Sequence, residues 1–298
     1  MKRFMRNCAI GALIMMILGF ALALAAGTIR GRAVISQVVE KVTGGRVHVN
    51  LENWGDFGIT VGEKLNLVNY NIEDNISFNS AYEVRTGNVE KYELTGEIIG
   101  LYIEAGGCTL ETAASEDGAF YVEAENIGKF QGYVENGVLC IRTTVSSGTW
   151  NELNGGKIKL YLPREYQLDK AEIELGAGTM QLNDMVAKEF VINAGAGQIV
   201  ASGVKAGKME LAVGMGSVVV KGEISGNLKA ECSMGSVEMV LEGSRKDFNY
   251  KLQCAMGSIE LENDKYEGLS QTREIENGAA KRVEVDCSMG SVNIRFTK

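Results

Sequence analysis

Along the second half of the chain, apolar side chains recur at every second residue and are interrupted at intervals by glycine. In one such stretch the apolar set is Leu228, Ala230, Cys232 and Met234, while Lys229, Glu231 and Ser233 hold the polar positions. A period of two sends successive side chains to opposite faces of an extended strand, so one face of this strand belongs to a core. Beyond Gly235 the parity shifts, because Val237 and Met239 become the apolar pair. Gly235-Ser236 is therefore expected to be a corner that turns the chain and resets the pleat.

The same pattern recurs in IELGAGTMQL from Ile173, INAGAGQIVA from Ile192, LAVGMGSVVV from Leu211, AECSMGSVEM from Ala230, LQCAMGSIEL from Leu252 and VDCSMGSVNI from Val285. The shared glycines Gly178, Gly197, Gly216, Gly235, Gly257 and Gly290 are spaced by 19, 19, 19, 22 and 33 residues. Each repeat has six positions expected to face inward, and in every repeat all six are apolar in a chain that is 45% hydrophobic overall. A repeat of this length predicts an all-β, single-stranded β-solenoid with rungs of about 19 residues, preceded by one N-terminal transmembrane helix. Stacking in chain order predicts an internal column of Ala177, Ala196, Met215, Met234, Met256 and Met289 beside a column of Leu175, Ala194, Val213, Cys232, Cys254 and Cys287.

Residues 171–298 are thus expected to form six regular rungs, and residues 51–170 an irregular β start to the same body. There, LYIEAGGCTLE from Leu101 aligns loosely, with Ala105-Gly106 on Ala177-Gly178 and Cys108 on Met180. FYVEAEN from Phe120, YVENGVLCIRT from Tyr133 and KIKLYLP ending at Pro163 predict strands, with Asn136-Gly137 as a hairpin turn. The insertion 262–282 is polar and predicts a projecting loop, and the last rung, ending in Arg295, Phe296 and Lys298, predicts an open sheet edge suited to self-association.

The first 50 residues are of another kind. From Cys8 to Gly27 run 20 residues without a charge, enough for a helix of about 30 Å that spans a bilayer. Lys2, Arg3 and Arg6 precede it. The reading is a short cytoplasmic tail at 1–7, a transmembrane helix (or signal-peptide h-region) at 8–27 and a juxtamembrane helix or linker at 28–50. The protein is then a single-pass protein of the cell membrane with its C-terminal domain outside the cytoplasm.

Composition narrows the chemistry. The 298 residues include one histidine, His48, which argues against multi-histidine metal centres and the commonest acid/base chemistries. The net charge is −8, and all 38 acidic residues lie beyond Gly27, so nucleic acid and polybasic lipid binding are disfavoured. With 37 glycines and one proline the chain favours tight backbone corners. Cys232, Cys254 and Cys287 share a column that could bind a soft metal or exchange disulfides, but the alternation turns them inward as small hydrophobes. Glu172, Glu210 and Glu284 share one outward column, and Glu231 and Asp286 another, which reads as a solvated face interrupted by Lys229 and Lys251. The candidate binding surface is a ledge just past each corner glycine, formed by Thr179, Gln198, Ser217, Ser236, Ser258 and Ser291 and suited to a glycan or a partner's edge strand.

The run VENGVLCIRT, KIKLYLPRE and then successive G-x-G and M-G-S repeats resembles the bacterial putative-adhesin domain family, a domain of unknown function, over roughly residues 90–298. The resemblance implies a β-solenoid behind a membrane helix and supplies no catalytic residues, metal or cofactor. The resulting expectation is a non-catalytic, membrane-anchored binding or scaffold module whose partner is cell-wall glycan or an envelope protein. The rival readings are a β-helix enzyme acting on cell-wall polysaccharide and an accessory protein in envelope-stress signalling.

Overall fold

The computed structural model describes residues 47–50, 56–61, 65–71, 76–144, 156–164, 166–267 and 270–297. The expected tail at 1–7, the span at 8–27 and most of the linker at 28–50 lie outside the described residues. Among those described, no helix is long and apolar enough to cross a membrane. The chain divides into two compact units, Met1–Asn75 and Ile76–Lys298. In the first, β1 (Val47–Asn50), β2 (Asp56–Val61) and β3 (Leu65–Asn71) pair as an antiparallel meander. His48 lies in β1 in register with Thr60. Among the described strands, β1, β2 and β3 pair only with one another, in a sheet separate from that of the second unit.

The second unit is all-β, and its one described helical turn is the 3-10 segment Arg245–Asp247. Its strands are β4 (Arg85–Glu93), β5 (Gly100–Ala105), β6 (Cys108–Ala114), β7 (Tyr121–Glu135), β8 (Val138–Thr144), β9 (Lys157–Leu162), β10 (Gln167–Leu175), β11 (Gly178–Asn183), β12 (Val186–Ala194) and β13 (Gln198–Val213). They continue with β14 (Ser217–Ile224), β15 (Leu228–Cys232), β16 (Ser236–Glu242), β17 (Phe248–Cys254), β18 (Ser258–Leu261), β19 (Asp264–Glu267), β20 (Gln271–Ile275), β21 (Lys281–Cys287) and β22 (Ser291–Thr297).

Each corner joins two strands into a rung, and neighbouring rungs pair in parallel. On one side of the corner Ile173 is opposite Ile192, Ile192 opposite Leu211 and Leu211 opposite Ala230. On the other side Met180 is opposite Ile199, Ile199 opposite Val218 and Val218 opposite Val237. The expected 19-residue step is present in every one of these pairs.

Chain order and spatial order part after the fourth repeat. β15 pairs with β21 and β21 with β17, while β16 pairs with β22 and β22 with β18. The last rung in sequence is therefore inserted between the fourth and fifth, which corrects the expected stack and its open C-terminal edge. The insertion 262–282 is likewise not a projecting loop over its whole length: β19 pairs antiparallel with β18, and β20 antiparallel with β17. An antiparallel partner is reached through a short turn. The rung directly joined to these strands must be outermost for them to cover it, and the final rung fills the gap left behind.

The other end is built in the same way. β8 pairs with β5 and β9 with β6, so the β8/β9 rung lies outside β5/β6 although it follows it in sequence. The 15-residue β7 runs antiparallel to both β8 and β9, and β4 runs antiparallel to β7. The β7–β8 connection is the expected Asn136-Gly137 turn, with φ of 50° and 77°; two left-handed residues match the twist of a tight hairpin. The expected alignment of the Leu101 segment is off by two residues, because Ala105 pairs with Leu175 and Cys108 with Gly178.

Five of the six expected inward positions in each repeat form the core, none of them more than 3% exposed. The sixth, immediately before the glycine, is a correction. Met215 and Met256 are 40% and 38% exposed, and Met234 and Met289 are half-buried. At this position the chain is already turning, so the residue stands at the outer apex of the corner and no longer obeys the pleat. The ladder nonetheless continues through the apex, since Met234 N–H donates to Gly214 O at 2.8 Å and Met289 N–H to Ser233 O at 2.7 Å.

Candidate functional site

The residues expected to form a ledge are placed side by side. Thr179 is in register with Gln198, Gln198 with Ser217, Ser217 with Ser236, Ser236 with Ser291, and Ser291 with Ser258. The order of the last two is exchanged relative to the sequence. Thr109 extends the row at its other end, in register with Thr179. It escaped the sequence reading because of the two-residue slip; matching Leu110 to Met180 on parity would have found it. Gln198, Ser291 and Thr109 are exposed, and the other four are half-buried. The Ser236 hydroxyl lies 3.0 Å from that of Ser217. Beside them, Gly176, Gly195, Gly214, Ser233, Ser288 and Ala255 keep the neighbouring strip low. The arrangement is a continuous row of hydroxyls and one amide on adjacent strands about 4.8 Å apart, each able to donate and accept.

Sequence reasoning missed a polar groove of about 660 Å³ at the β4 end of the unit, to which β4, β6, β7 and β9 all contribute. Across it Glu123 faces Lys159 and Glu125 faces Lys157 in register. Tyr121 and Tyr161 stack with centroids 4.2 Å apart, and Lys91 lies 4.6 Å over Tyr121. Tyr161 donates a hydrogen bond of 2.9 Å to Glu123. The groove is close to charge-balanced, and the outer face of Tyr121 is covered. No sequence signal marks it, since it is assembled from an antiparallel cap laid over parallel rungs.

The expected acidic columns are solvated and ion-paired. Glu172 pairs with Lys170 at 2.6 Å, Glu210 with Lys208 at 2.5 Å and Glu231 with Lys229 at 2.6 Å. Asp286 is in register with Glu231, and Lys229 with Glu284. A tighter pair, also missed, is Glu104 in register with Glu174. The Arg142 Nε lies 3.2 Å from Glu104, and the Tyr102 hydroxyl donates to Glu174 at 3.3 Å. Partial burial raises the carboxyl of Glu104 above its ordinary range, against the opposing pull of Arg142.

The three thiols sit in the order Cys232, Cys287, Cys254, all free and at most 3% exposed. Cys232 donates to the Gly235 carbonyl at 3.2 Å and Cys287 to that of Ser258 at 3.7 Å; the proximity of the two thiols lowers Cys232 and raises Cys287, and burial raises Cys254. Burial alone pushes Cys108 up to about 12. Among the described residues, no three His, Cys, Asp or Glu side chains are placed to hold a metal ion.

Comparison with known proteins agrees with the resemblance drawn from the repeat. Residues 100–223 match the family described as Toastrack DUF4097. The crystal structure of a putative cell adhesion protein from Clostridium sporogenes ATCC 15579 is 16% identical, with 72% of this chain and 100% of that chain covered and a TM-score of 0.41. That of a putative adhesin from Bacteroides fragilis NCTC 9343 is 10% identical, with 71% and 97% covered and a TM-score of 0.35. No curated protein matches the chain.

Proposed function

We propose that this chain, whose residues 100–223 match the Toastrack DUF4097 family, is a non-catalytic, adhesin-like binding module held at the cell envelope by its N-terminal segment. The observation that carries the reading is the row from Thr109 to Ser258, one polar side chain per rung on seven adjacent strands. The 19-residue step of the parallel ladders supports reading the body as a β-solenoid, a form that repeats the same position once per rung. A linear polymer with repeating hydroxyls, such as a cell-wall glycan, is the ligand class that a periodic donor and acceptor row fits. The uncharged run from Cys8 to Gly27 supports a single span.

The test is retention of the full chain on isolated cell-wall material. Wild type should be retained, and replacement of Gln198, Ser217, Ser236 and Ser291 together by arginine should abolish retention without loss of the β signal in circular dichroism. Equal retention of the variant would overturn the ledge as binding surface. The rival enzymatic reading draws on Glu104 and Glu174 in register. It requires release of reducing ends from the same material, lost in Glu104→Gln and Glu174→Gln.

A further inference from the structure

The apex position before each corner glycine is alanine in the first two regular rungs, Ala177 and Ala196, and methionine in the next four. Alanine shows that the corner itself needs no bulk. Rung order places the four side chains consecutively as Met215, Met234, Met289 and Met256, because each apex amide bonds to the rung before it: Met234 to Gly214, Met289 to Ser233 and Met256 to Ser288, at 2.7–2.8 Å. The outer two are 40% and 38% exposed, an outlay of apolar surface to water that neither the core nor the turn requires. Rungs repeat at about 4.8 Å, and half of that, about 2.4 Å, is close to a metal–sulfur bond of about 2.3 Å.

We propose that the thioether row Met215–Met234–Met289–Met256 is a binding site for one soft monovalent cation of the Cu(I) class. Thioethers are uncharged, polarizable donors that select soft cations over Zn²⁺, Ca²⁺ or Mg²⁺. At this spacing one cation bridges two neighbouring sulfurs, and the central pair, Met234 and Met289, has a further thioether on each side and is the expected ligand pair. The net charge of −8 favours approach of a cation to the protein as a whole. The inference is independent of the ledge, which lies beyond the corner glycine on the following strand.

The probe is Ag(I), the redox-inert counterpart of Cu(I), added in chloride-free buffer to the full chain labelled at its methionine methyls. Met180, Met185, Met209 and Met239 are at most 3% exposed and serve as internal controls. The expected result is that the methyl resonances of Met215, Met234, Met256 and Met289 shift together at one equivalent, while those four controls stay in place. Replacing the four by leucine keeps shape and should weaken Ag(I) binding at least about tenfold. Any other pattern overturns the site: shifts confined to other methionines, uptake that persists in the leucine variant, or uptake lost instead in Cys232→Ala or Cys140→Ala. The methyl spectrum of the wild type decides even if the fourfold variant fails to fold.

Discussion

Gly290 gives the sharpest test of the inserted rung. A Cβ built there would stand 2.5 Å from the Cys232 sulfur, 3.2 Å from the Gly235 amide nitrogen and closer still to the Gly235 carbonyl oxygen. All three groups belong to the fourth repeat, whereas a stack in chain order would set the same Cβ against Gly257 and Cys254, so coupling to Cys232 is what marks the inserted rung. Two of them are backbone atoms held in the ladder, and relief requires the rungs to separate locally. Overpacking of this kind costs typically 1–3 kcal/mol, and the upper value of about 3 applies when the neighbours cannot rotate away. For a unit of this size that corresponds to about 9 °C in the melting midpoint. Gly278 is the control: its φ is 70° and nothing lies within 4 Å of an added Cβ. Gly278→Ala carries only the strain of a left-handed residue, about 1 kcal/mol or about 3 °C. In the Gly290→Ala background, Cys232→Ala should cost about 1 kcal/mol less than in wild type, because the added methyl occupies space given up by the sulfur. Thermal unfolding followed by far-ultraviolet circular dichroism measures all four variants. A cost of Cys232→Ala that is the same in both backgrounds would refute the inserted order.

Glu104→Gln tests the half-buried carboxyl beside Arg142. A raised carboxyl contributes stability that is fully present below its unfolded value and is lost as pH rises through its folded value, so the variant should gain on wild type as pH climbs above the ordinary carboxyl range of about 4; a gap between their urea midpoints that is flat with pH contradicts this. Alkylation of the native protein followed by mass spectrometry should modify half-buried Cys140 first among the five described cysteines and spare Cys108, Cys232, Cys254 and Cys287; rapid labelling of Cys287 would mean that the core opens there. Replacing Asn263–Asn277 with a short glycine-serine linker removes β19 and β20 from the edges of β18 and β17, and light scattering should then show association that grows with concentration. A variant that stays at its native mass would show that the edge needs no cover.

Strand positions and their buried faces were readable because the apolar alternation is uninterrupted: Leu228, Ala230 and Cys232 before the corner, and Val237 and Met239 after it, all lie in the core. Parity failed at Met234, where it assumes a pleat that the corner has ended. The rung order was not readable, because Leu252 and Val285 present the same kind of side chain and either rung packs equally well on Ala230. The side-by-side placement of the six residues past the corners followed from the repeat, whereas Thr109 did not. The groove and the Glu104–Glu174 pair needed knowledge of which rungs adjoin, which sequence spacing does not carry.

Both ends of the unit obey one rule, and it bears on where the domain can be cut. A stack of parallel rungs leaves a row of free backbone groups at each end, and repeat bodies require terminal caps to stay soluble. Here the cap is antiparallel in both cases, joined to its rung by a tight turn, Asn136-Gly137 before β8 and Glu262-Asn263 after β18. A capped rung must be outermost, and that forces its sequence neighbour into the space behind it. Residues 100–223 keep β7 over one end but lose β4, β16, which pairs with β14, and β15, which pairs with the end of β13, and this exposes the edge beside Val218, Val220 and Leu211. Expressed alone, that segment should be insoluble or associate through this edge, whereas residues 76–298 should be a monomeric folded body by sedimentation. If the shorter piece is monomeric with the melting temperature of the longer one, the caps are dispensable and the out-of-order rungs have some other cause.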